Sequence, residues 1–110
     1  MENNSNHTVS HSGHRMRMKE RFLKDGNFDS FSNVNILEML LFYAIPMKDT
    51  NPIAHALLDK FGSLDCVFNA SYDALVSVPG VTPNAASLIA MIPSITKVYF
   101  DSATSQTDSI

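Results

Sequence analysis

Leu75-Val76-Ser77-Val78-Pro79-Gly80-Val81-Thr82-Pro83-Asn84-Ala85-Ala86-Ser87-Leu88-Ile89 is the stretch whose reading decides the fold. It is a short apolar helix, a glycine turn, and a second helix with small residues near its start. Gly80 reverses the chain without a side-chain clash, because glycine alone adopts positive φ at little cost. Thr82 and Pro83 form a start signal, a hydroxyl that caps and a proline in a first turn where no N–H partner is needed. Val81 points into the core, and Ala85 and Ala86 let two helices approach closely.

Reading outward toward the C-terminus, Ala85, Leu88, Ile89, Ile92 and Tyr99 fall on one helical face, with Pro93 expected to bend the helix at mid-length. After Phe100 the composition turns to Ser, Thr, Asp and Gln, and residues 101–110 are expected to be a disordered tail. Toward the N-terminus, Ser71 caps a short helix from Tyr72 to Val76, and Ser63 caps another through Phe68. Asn51-Pro52 opens a helix in which the asparagine is expected to cap. Ile53, Leu57, Leu58 and Phe61 give it helical spacing up to Gly62, a left-handed terminator. Ile36 to Ile45 is apolar on nearly every side and reads as the central buried helix, started by Ser32 or Asn33 and stopped by Pro46. Before it, His14 to Lys24 favours helix, with Met18, Phe22 and Leu23 as a narrow apolar stripe. Asp25-Gly26-Asn27 is a turn, and Phe28 and Phe31 fold the next loop onto the core. Residues 1–12 are polar, lack apolar periodicity, and are expected to be a disordered N-terminal tail. No stretch alternates as a half-buried strand would. The expectation is an all-α domain over residues 13–100, a small bundle of five to six helices.

The turn and its flanks resemble a helix-hairpin-helix motif. In that family the turn usually reads Gly-apolar-Gly, and its free amides at the start of the second helix cradle a nucleic-acid phosphate. The dipole of the helix favours an anion at the same point. Here Thr82 stands where the second glycine usually stands, Pro83 lacks an amide hydrogen, and Ala85 occupies a position often held by lysine in DNA-binding copies. A longer resemblance covers Gly13-His14-Arg15, Arg21-Phe22-Leu23, Leu37 to Pro46, Ala54 to Leu58, Phe61-Gly62-Ser63-Leu64 and Val78-Pro79-Gly80-Val81. In this order they resemble the N-terminal helical domain of the RadC family, once labelled DNA repair proteins. In that family the domain precedes a metallopeptidase-like JAB/MPN domain with a His-x-His…Asp zinc site. This sequence has no His-x-His pair.

Charge divides the chain. Through Lys24 five cations stand against two acids, net +3, and beyond it three stand against nine, net −6. One function that follows is non-specific, low-affinity DNA binding through the sugar-phosphate backbone. Gly80 and Thr82 would offer amides, assisted by Arg15, Arg17, Lys19 and Arg21. The alternative is a protein-interaction or scaffolding domain that docks a catalytic partner such as a JAB/MPN-type domain, or pairs as a homodimer, through apolar surface near Phe42, Tyr43, Phe100 or the Pro93 bend. No nucleophile with its base and no metal cluster is visible, so no catalytic residue, cofactor or metal is expected. His7, His11 and His14 have spacing that a helix would align, but a polar tail explains them better.

Glu38, inside the most apolar helix, requires a partner, expected to be a cation such as Arg15 or Arg21. Cys66 reads as a core thiol, and Phe42 and Tyr43 as core side chains rather than a stacking platform for bases. With no apolar run of membrane-crossing length and no secretory signal at its start, the chain is expected in the cytoplasm.

Overall fold

The computed structural model describes the backbone from Glu2 to Asp108 and the side chains of residues 13–105. It contains six helices among the described residues: α1 (Glu2–Asp25), α2 (Asn33–Phe42), α3 (Asn51–Phe61), α4 (Leu64–Asn69), α5 (Tyr72–Val76) and α6 (Pro83–Asp108). The fold is all-α. α1 begins earlier than the expected His14, and α6 continues eight residues past Phe100, where a disordered tail was expected. Extension from an existing helix needs no new nucleus, and Lys97 Nζ pairs with Asp101 Oδ2 one turn on at 2.7 Å.

The capping chemistry is visible residue by residue. Ser32 Oγ accepts from the Asn35 amide (3.1 Å), Ser71 Oγ from that of Ala74 (3.1 Å), and Thr82 Oγ1 from that of Ala85 (3.2 Å). The Ser63 hydroxyl accepts from the Cys66 amide and donates to Asp65 Oδ1 at 2.6 Å, which with backbone amides holds the Asp65 carboxyl below the usual carboxylate range. Gly62 ends α3 at φ 93°, its amide on the Leu58 carbonyl at 2.8 Å. The start of α3 differs from expectation. Asn51 is the first helical residue rather than the cap; its amide donates to Asp49 Oδ1 at 3.0 Å, and its side chain turns inward.

The main core gathers Leu37 and Leu41 from α2 and Ile45 from the loop after it, with Ile53, Ala54 and Leu57 from α3. Val67, Leu75, Val78, Val81, Ala85, Ala86 and Ile89 complete it from the C-terminal half. A second, smaller cluster of Met18, Phe31, Met39 and Phe42 fastens α1 and its following loop to the other side of α2. Two sequence expectations about burial do not hold: Tyr43 is largely exposed, and Cys66 is an exposed free thiol; Tyr99 is exposed as well. Tyr43 lies past the last turn of α2, Tyr99 lies on the part of α6 that has outrun the core, and Cys66 points away from Val67, which takes the buried place on α4.

Candidate interaction surface

The turn from Val78 to Thr82 reverses the chain as its glycine requires. Gly80 has φ 91°, and a Cβ placed there would meet Ile53 Cγ1 at 2.9 Å, so the turn is seated directly on α3. The Val81 amide closes the turn on the Val78 carbonyl at 3.0 Å, and Thr82 caps α6. The amides of Gly80, Thr82 and Asn84 have no hydrogen-bond partner among the described residues, and Gly80 and Asn84 are exposed. That leaves unpaired donors at the positive end of a long helix.

The four cations expected to assist the turn belong to α1, which packs on α2, and three of them have partners there. Arg15 is the most engaged. Its guanidinium donates to the carbonyls of Phe42 (3.3 Å), Ile45 (2.9 Å) and Lys48, satisfying the open end of α2 and the loop after it, and it stacks 4.8 Å from the Phe42 ring centre. Arg21 lies 4.0 Å over the Phe31 ring and donates to the Ser30 carbonyl at 3.0 Å, holding down the loop that follows α1. Lys19 sits 5.0 Å over Tyr43. Arg17 is exposed and lies back beside Gly13.

Glu38 does meet α1, but through a different residue from those expected. Its carboxylate is 1% exposed and takes a hydrogen bond from His14 Nε2 at 2.9 Å, with the Asn35 and Asn51 side-chain amides each at 3.4 Å from the other oxygen. The Thr50 hydroxyl donates to the Glu38 carbonyl at 3.1 Å. His14 takes this place because Arg15, the next residue on α1, reaches the far end of α2, and Arg21 is nearly two turns further along. A buried carboxylate held from α1, α2 and the start of α3 is a structural junction. Among the described residues no three His, Cys, Asp or Glu side chains converge as a metal site needs. His7 and His11 lie outside the residues whose side chains are described.

A second feature is an apolar concavity. A groove of about 640 Å³ runs between α1, α2, α4 and α6, lined by Phe22, Leu23, Phe28, Ile36, Met39, Leu40, Tyr43, Leu64, Phe68 and Ile92, with Lys19 the charged residue at its edge. Beside it α6 leaves the body. From Ser94 to Ser105 every residue is exposed, including Ile95, Val98, Tyr99 and Phe100. Tyr99 and Phe100 stack edge-on with ring centres 5.4 Å apart. Exposed apolar surface of this kind makes the face a candidate interaction surface. The sequence places apolar docking surface near Phe42, Tyr43, Phe100 or the Pro93 bend; Tyr43 and Ile92, next to Pro93, line this groove, Phe42 is buried, and the walls that α1 and α4 supply were not read from the sequence.

Comparison with known proteins finds relatives among curated proteins. The chain is 43% identical over 88 residues to UPF0758 protein FN0909 of Fusobacterium nucleatum subsp. nucleatum, an alignment covering 80% of this chain and 38% of that protein. The likeness is to a UPF0758 protein. UPF0758 is the RadC family, so this similarity agrees with the resemblance read along Gly13 to Phe100. The chain spans well under half the length of this curated relative. No family model matches the chain, and no solved structure matches it. Among the described residues no helix is long and apolar enough to cross a membrane.

Proposed function

We propose that the chain is a RadC-like N-terminal helical domain and works in the cytoplasm as a non-catalytic protein-interaction module. The observation that carries this reading is the outer half of α6, where Ile95, Val98, Tyr99 and Phe100 stand exposed beside an apolar groove. Burying such side chains stabilises a complex by about 25 cal/mol per Å² before the cost of association. The acidic body and the intramolecular partners of Arg15, Lys19 and Arg21 favour this reading over a phosphate-binding one. It is tested by mixing the chain with a separately expressed metallopeptidase-like domain from a full-length relative, and by measuring its own mass in solution. Complex formation or pairing that buries Tyr99, read by its fluorescence, is expected. A monomer that ignores that domain would remove the reading.

The second reading, backbone binding of DNA at the hairpin, is favoured by the unpaired amides of Gly80 and Thr82, with Arg17 as the cation nearest to free. Fluorescence anisotropy with labelled duplex and single strands tests it; binding that weakens steeply with salt is its expected signature. Absence of binding at about 100 µM protein in low salt excludes it, since even non-specific complexes form in the range of ~1–100 µM.

A further inference from the structure

We propose that the apolar groove and the outer stripe of α6 are the two halves of one self-complementary interface, through which two copies of this chain pair about a two-fold axis near Ile92. The proposal rests on the interaction reading above and names the partner.

Met91, Ile95, Val98 and Tyr99 recur at intervals of four, three and one, which places them in a single stripe along α6, and all are exposed. Ile92 borders that stripe and also lines the groove, so ridge and groove lie side by side on the surface. This adjacency is what a two-fold interface requires. Rotation about an axis between them lays the ridge of each copy over the groove of the other, and the contact closes without leading to a chain of subunits. Helix stripes with this spacing are also the form in which apolar grooves recognise helices.

Area and charge fit the same occupant. The exposed parts of the stripe and of Leu23, Phe28 and Tyr43 in the groove come to on the order of 800 Å² per copy, about the share each partner contributes to a stable interface. A helix leaving the axis at Ile92 crosses the partner's groove toward α1, whose Arg17 and Lys24 are exposed. The last turn of α6 has no basic residue to offset the negative end of its dipole, and those cations supply the missing charge from across the interface.

The test is sedimentation velocity of the full chain under reducing conditions from about 5 to 500 µM, a range that brackets micromolar pairing. A dimer is expected, and Ile95→Asp on the ridge or Leu23→Asp in the groove should each weaken it at least about tenfold. Both residues are exposed, so an unchanged far-ultraviolet circular dichroism spectrum shows that the fold survives. A monomer at every concentration, or a dimer indifferent to both substitutions, would overturn the proposal. A chain that stays monomeric yet binds the metallopeptidase-like domain would sink self-pairing while leaving the interaction reading in place.

Discussion

The two halves of α6 are one continuous helix with opposite fates. From Pro83 to Ile92 it buries Ala85, Ala86 and Ile89 completely, and from Ser94 to Ser105 every residue is exposed. Both halves carry apolar residues at helical spacing. The difference teaches that periodicity identifies a face that favours cover without saying whether the cover comes from the same chain. In the first half the short helices α4 and α5 fold back against α6; in the second, residues 94–105 are all exposed.

The largest test of this contrast is a matched pair of truncations. Ile89→Ala is expected to cost about 3 kcal/mol, read from the urea midpoint, because it leaves a cavity among close-packed neighbours. Ile95→Ala, measured at low micromolar protein, should cost less than about 0.5 kcal/mol. Equal losses would break the distinction. Next in size is Gly80→Ala at the root of the anchored half. A positive φ and a Cβ driven onto Ile53 should together remove about 2 kcal/mol, with α5 and the start of α6 gaining amide exchange together.

A polar attachment can be set against the apolar one. His14→Ala withdraws the 2.9 Å donor from a buried carboxylate and should cost about 1.5 kcal/mol, with faster amide exchange in α1 than in α6. The smallest effect has the opposite sign. Met47 is exposed and holds φ 70° in the loop after α2, so Met47→Gly should raise stability by about 1 kcal/mol without touching either half of α6. A loss there would mean that the loop depends on the methionine side chain.

Local signals in the sequence were read correctly where the physics is local. Ser32, Ser63, Ser71 and Thr82 cap the helices they precede, Gly62 terminates α3, and Gly80 turns the hairpin, because each acts on backbone groups within a few residues. Glu38 shows the limit of such reasoning. Its need for a partner from α1 followed from the cost of a buried charge, but choosing His14 over Arg15 requires knowing how α1 crosses α2. The role of Arg15 had a signal that was available: α2 has no basic residue in its last turn, so its final carbonyls had to find donors elsewhere. Tyr43 and Cys66 were assigned to the interior on residue type, which predicts burial only where a neighbouring element arrives to provide it.

The exposed thiol of Cys66 has a practical corollary. On α4 it lies on the far side from Leu64 and Phe68, which line the groove. A nitroxide or fluorophore attached to this one sulfur would therefore sit behind the docking face, reporting distances between copies without obstructing their approach. In air-oxidised samples the same sulfur would join chains back to back, a covalent pair with a geometry unlike that of the groove.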